Sequence, residues 1–95
     1  MPRVSVIMGV YNGEERLSKS VGSIIKQSFK DWEFIICDDG SSDNSFKIIK
    51  DYANNESRII AIKNEENLGL ALTLNHCLKY AEGEYIARMD DDDYS

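Results

Sequence analysis

The chain is poor in cysteine, poor in positive charge and without a long hydrophobic run, and each shortage closes off a class of protein. Its two cysteines, Cys37 and Cys77, lack metal-ligand spacing and are too few for a disulfide scaffold. Both sit among apolar residues and read as reduced packing thiols. Eleven Lys and Arg stand against 17 Asp and Glu, a formal net charge of −6, which argues against nucleic-acid phosphates or an anionic membrane surface as partners. The apolar stretch from Val4 to Met8, with Gly9 and Val10 behind it, falls far short of the roughly 20 residues that span a bilayer. Behind Met1-Pro2-Arg3 no small-residue cleavage site follows, so the start reads as a strand rather than a signal peptide, and the expected location is cytoplasmic. No linker or low-complexity segment divides residues 1–95, which read as one domain.

With 42% apolar and 29% charged residues, the chain has the composition of a soluble globular domain with one core. At this size only about 60 to 65% of the unfolded surface is buried on folding, so stability is expected to be modest. Val4 to Met8 reads as a β-branched buried strand ending at the Tyr11-Asn12-Gly13 turn. Leu17, Val21, Ile24 and Ile25 then fall at helical spacing to about Gln27, with Asn12 or Gly13 as N-cap and Glu14 and Glu15 at the positive end of the dipole. Trp32 to Cys37 gives a second strand, and Phe46, Ile49, Tyr52 and Ala53 a second helix. Ile59 to Ile62 gives a third strand, and Leu70, Leu74, Cys77, Leu78 and Ala81 a third helix ended by Gly83. Tyr85 to Met89 completes a βαβαβαβ order. Such alternation predicts an α/β fold, a Rossmann-like parallel sheet with right-handed crossovers, whose ligand crevice lies beyond the strand C-termini.

Three of those strand ends carry polar chemistry: Val10-Tyr11-Asn12, Asp38-Asp39 and Asp90-Asp91-Asp92-Asp93. Consecutive carboxylates repel, and a divalent cation relieves that repulsion. Carboxylates with open positions suit Mg²⁺ or Mn²⁺ held together with substrate phosphates. A solvated acidic run is the plainer alternative for the four aspartates taken alone.

Val4 to Gly13, Cys37 to Asp43, Asn67 to Ala71 and Gly83 to Asp93, in this order and spacing, resemble the N-terminal half of glycosyltransferase family 2, the inverting nucleotide-sugar transferases. The last segment resembles the bacterial capsule and lipopolysaccharide branch. The resemblance implies the N-terminal part of the A-type glycosyltransferase fold, a nucleotide-sugar donor such as a UDP-sugar, Mg²⁺ or Mn²⁺ as cofactor and a saccharide acceptor. It implies that Tyr11 lies by the base, that Val10 and Asn12 belong to the loop lining base and ribose, and that Asp39 accepts a hydrogen bond from the base. Asp90, Asp91 and Asp92 match the Asp-x-Asp element: Asp90 and Asp91 on the nucleotide side, Asp92 and with it Asp90 as metal ligands. The family commonly has Pro-Thr where Gly9-Val10 stand and Ala or Ser where Asp91 stands.

An inverting transfer also needs a general base for the acceptor hydroxyl. The resemblance puts it downstream of Ser95, so no catalytic residue is assigned within the chain. The chain is expected to be the truncated donor-binding part of a longer transferase, inactive alone, with membrane contact only through later segments and with homo-oligomer formation through open sheet edges. Other polar and aromatic residues have their own readings: Asp38 equally as a support of the turn at Gly40 or as a ligand contact, Asp43 as a helix-capping or first-turn charge, His76 as a solvated surface residue, Arg88 as an ion-pair partner ahead of a contact to the diphosphate, and Trp32 as a core-edge anchor. Two readings of other classes remain, an inactive donor-fold interaction module and a Mg²⁺-binding receiver-like domain. Against the latter, the third strand runs into Ile62-Lys63-Asn64, without a carboxylate.

Overall fold

The computed structural model describes residues 2–26 and 31–89. Its elements are β1 (Val4–Val10), α1 (Glu14–Ile25), β2 (Trp32–Asp39), α2 (Ser45–Asn55), β3 (Ile59–Asn64), α3 (Leu70–Leu78) and β4 (Tyr85–Arg88). The strands form one parallel sheet in the order β3-β2-β1-β4. The chain thus steps outward from β1 to β3 and then crosses back to the far side of β1. With right-handed crossovers, that reversal sends α3 to the face opposite α1 and α2.

The period of two in the strands sorts the core accordingly. Val6, Met8, Val10, Phe34 and Ile36 pack with Leu17, Val21, Ile24 and Ile49 of α1 and α2. On the other face Ile7, Ile35 and Cys37 pack with Cys77 of α3. Asp38 and Asp39 continue this alternation: Asp38 shares the parity of Phe34 and Ile36, Asp39 that of Ile35 and Cys37. Two adjacent carboxylates thereby enter different environments.

Three sequence expectations shift. β2 runs on through Asp38 and Asp39, because their backbones are paired, Asp38 with both Val10 and Lys63 and Asp39 with Asn64. α3 stops at Leu78 rather than near Gly83. The N–H groups of Lys79, Tyr80 and Ala81 turn back to the carbonyls three residues earlier, and those of Glu82 and Gly83 are captured by Glu33 Oε2 and Ser5 Oγ at 2.7 and 2.8 Å. The fourth strand, expected over Tyr85 to Met89, ends at Arg88, and its Ile86 is 48% exposed, since among the described residues β4 is an edge strand paired to β1 alone. Among the described residues no helix is long and apolar enough to cross a membrane.

Candidate functional site

The parallel sheet brings the C-terminal ends of β1, β2 and β3 to one edge, where the side chains form two linked networks. The first ties the loop after β1 to the loop after β2. Asn12, in the left-handed region at φ 49° that Asn tolerates better than most residues, donates its N–H to Ser41 Oγ at 2.8 Å and accepts the Ser42 N–H on Oδ1 at 2.9 Å. Gly13 N–H reaches Ser45 Oγ at 2.9 Å. Asp43 accepts from the Ser45 N–H and hydroxyl at 2.9 and 2.6 Å and from Glu14 N–H at 3.3 Å. It therefore serves the starts of both α1 and α2, the capping task expected of it. Desolvation pulls its pKa upward, but the hydrogen bonds from Ser45 and Glu14 outweigh it and hold the carboxyl below its ordinary value.

The second network is centred on Asp39, which is fully buried. Its Oδ1 accepts from Asn64 Nδ2 at 2.9 Å and Leu68 N–H at 2.8 Å. Its Oδ2 accepts from Asn67 Nδ2 and Gly69 N–H, both at 3.0 Å. Four N–H groups match the roughly four lone-pair directions of a carboxylate, so Asp39 holds the 64–69 loop and the start of α3. The loop can lie this close because position 40 is glycine. A Cβ there would meet the Glu66 carbonyl carbon at 2.7 Å and Asn67 N at 2.8 Å, and φ is +73°.

Asp38, 1% exposed, accepts the Ser41 N–H on Oδ2 at 3.1 Å and so supports the turn at Gly40. No donor among the described residues reaches its Oδ1. Val10 is buried with its side chain in the core, which leaves its backbone as the only part able to line a ligand. Tyr11, 38% exposed, directly follows the end of β1. β4 runs in the same direction, and its described end lies level with Ile7 of β1, where Met89 N–H bonds Ile7 O at 2.9 Å. Asp90, Asp91 and Asp92 lie outside the described residues. Among the described residues no group of three or more His, Cys, Asp or Glu could hold a metal ion.

Two side chains differ from their sequence reading, or add to it. His76 is half-buried rather than solvated, with Nδ1 2.7 Å from Asn64 Oδ1; the polar neighbours in sequence concealed that α3 turns this residue toward the end of β3. Asn64, only 4% exposed, was not singled out, although a polar residue closing a β-branched strand was its signal. Trp32 is the buried core-edge anchor expected, with the Arg58 guanidinium 3.9 Å from its ring centroid. Arg88 lies exposed on β4, opposite Ile7. Cys37 and Cys77 are free, buried thiols; the hydrogen bond to Cys77, burial, and the carboxylates of Asp39 and Asp38 push the Cys37 pKa upward.

The solved structures on which this Rossmann-like parallel sheet superposes have the A-type glycosyltransferase fold. S. aureus TarS (residues 1–349) in complex with UDP-GlcNAc matches with a TM-score of 0.88 and 34% identity, over 97% of this chain and 27% of that one. The mannosyltransferase PcManGT from Pyrobaculum calidifontis, in complex with GDP-Man and Mn²⁺, matches with a TM-score of 0.88 and 26% identity, over 96% and 28%. Residues 5–95 match the model of glycosyl transferase family 2, and the chain belongs to that family. EpsE of Bacillus subtilis (strain 168) is 55% identical over 95 residues, covering 99% of this chain and 34% of that protein. The Escherichia coli UDP-Glc:alpha-D-GlcNAc-diphosphoundecaprenol beta-1,3-glucosyltransferase WfgD is 45% identical over 91 residues, 95% of this chain and 35% of that protein. The chain thus spans about a third of the length of the curated relatives it matches.

Proposed function

We propose that the chain is the donor-binding part of a transferase that takes a sugar from a nucleoside diphosphate, in the first instance a UDP-sugar. The sugar passes with inversion to a saccharide acceptor in surface polysaccharide or lipopolysaccharide synthesis. The observation that carries this reading is that the family match runs over residues 5–95, with its motif residues Tyr11, Asn12, Asp38 and Asp39 at the C-terminal ends of the paired strands β1 and β2. The donors named with TarS and WfgD point to uridine, and the GDP-Man and Mn²⁺ named with PcManGT to a divalent cation.

In this reading the Tyr11 ring stacks on the base and the backbone of Val10 and Asn12 lines the ribose side. Asp39 accepts an N–H of the base. Its oxygens already hold four donors, so one must give way, and the amide of the exposed Asn67 is the one that water can satisfy afterwards. Asp90 and Asp91 flank the nucleotide, and Asp92 with Asp90 holds Mg²⁺ or Mn²⁺. A cation bound there neutralises charge on the departing diphosphate. The acceptor's general base is supplied from beyond Ser95, so residues 1–95 alone bind donor without transferring sugar.

Calorimetry with UDP and GDP, in Mn²⁺ and then in excess chelator, tests the reading. UDP binding that disappears with the cation is expected. Equal affinity in both conditions would remove the metal from the site, and no binding of either nucleotide in Mn²⁺ would overturn the donor assignment.

A further inference from the structure

We infer that His76 is a positioning residue for Asp39, acting through Asn64, and that the ordering of the 67–69 loop depends on it. The chemistry of the chain of contacts fixes each proton. Asp39 Oδ1 already receives the Leu68 N–H at 2.8 Å, so the Asn64 atom 2.9 Å from it must be the amide nitrogen. That nitrogen also reaches Thr73 Oγ1 at 3.1 Å. The other end of the amide is then the oxygen, an acceptor only. Nδ1 of His76, 2.7 Å away, must therefore carry a hydrogen and donate it.

The alternative orientation of Asn64 is costly. A flip of the amide turns its oxygen onto Asp39 Oδ1, acceptor against acceptor, in a place almost closed to water. The remaining contact of Asn64 Oδ1, the Cys37 thiol at 3.6 Å, is a weak donor and no substitute for an imidazole N–H. The imidazole is itself held in place: His76 lies in the last turn of α3, and the Tyr80 ring stands 5.8 Å from it, centroid to centroid. A side chain on the outer part of α3 thus satisfies the acceptor end of a buried amide whose donor end lies on Asp39 and Thr73, and the amide so held keeps the Asp39 carboxylate in place for Leu68 and Gly69.

The consequence for donor binding rests on the function proposed above, whereas the consequence for the loop does not. The test uses His76→Ala, His76→Gln and His76→Asn in the 95-residue chain. An asparagine nitrogen takes the place of Nδ1, while a glutamine nitrogen takes the place of Nε2, so only His76→Asn retains the donor. Hydrogen exchange of the Leu68 and Gly69 amides is expected to quicken about tenfold or more in the Ala and Gln variants and to return to within about twofold of the parent in His76→Asn, with the amides of β1 and β2 unchanged in all three. UDP affinity in Mn²⁺ is expected to fall about tenfold in the first two and to recover in the third, the scale on which supporting hydrogen bonds act on ligating groups. Unchanged exchange at Leu68 and Gly69 in His76→Ala, or equal loss in Asn and Ala, would overturn the inference. Rescued exchange without any UDP binding by the parent chain would sustain the positioning role and overturn the donor assignment.

Discussion

Replacing Asp39 by alanine removes the acceptor for four N–H groups at once, and the structure says which of them suffer. The amide of exposed Asn67 recovers its bond from water. Asn64 keeps Thr73 as a partner. The N–H groups of Leu68 and Gly69, at 2.8 and 3.0 Å from the carboxylate, lose their acceptor in a part-buried turn. At about 1.5 to 3 kcal/mol for a hydrogen bond to a charged group, two such losses come to about 3 to 6 kcal/mol. Domains of this size have a total of about 5 to 14 kcal/mol, so Asp39→Ala should sit near the edge of unfolding at 25 °C. Urea titration followed by circular dichroism reads the loss as a fall in the transition midpoint at unchanged slope. Asp39→Asn, which keeps one acceptor oxygen, should lie between variant and parent. A midpoint shift equivalent to less than about 1 kcal/mol for Asp39→Ala would refute the view that this carboxylate organises the 64–69 loop.

Gly40→Ala should cost about 2 kcal/mol or more, since it adds left-handed backbone strain to a Cβ placed 2.7 Å from the Glu66 backbone; a thermal shift within error would refute this. Asp43, whose pKa is lowered from 3.8 in the folded state, contributes stability that is present above the unfolded value and lost as pH falls through the folded one. The stability gap between parent and Asp43→Asn should therefore close in acid, and a gap that stays constant from pH 7 to well below 3.8 would contradict the assignment. Cys37 should resist a thiol reagent at neutral pH until the chain is unfolded, because its sulfur is inaccessible and its pKa is raised by the bond to Cys77, burial and the neighbouring carboxylates; rapid labelling in native buffer would count against the buried pair.

What the sequence made legible was periodicity and order. The short β-branched and apolar runs and the apolar positions at helical spacing announce all seven elements, because the need to bury a strand or a helix face is written locally. The ends were less legible. The end of α3 depends on Glu33 and Ser5, which capture Glu82 and Gly83 from another part of the sheet, and nothing near Gly83 in sequence records that. The same holds at the site. Tyr11 and the two strand-end aspartates stand out by type and place, but which carboxylate is saturated depends on Asn64, Asn67 and His76, brought in by a loop and helix some 25 to 37 positions downstream of Asp39. Polar networks join distant positions, and a residue such as His76 carries no mark of its partner.

The place of β1 in the sheet has a consequence for the order in which the molecule is made. β1 leaves the ribosome before β2, β3 and β4, yet it becomes an interior strand only when β4 pairs with it, and the bond from Gly83 N–H to Ser5 Oγ spans 78 positions. Contacts of such long separation form slowly, since the chain must surrender most of its freedom before any of them is gained. Until then a nascent chain carries a strand rich in Val and Ile with one unpaired side, the kind of surface on which neighbouring chains aggregate. Slowing translation ahead of Tyr85 should lengthen that window, and the yield of soluble protein should follow the pace at which β4 emerges.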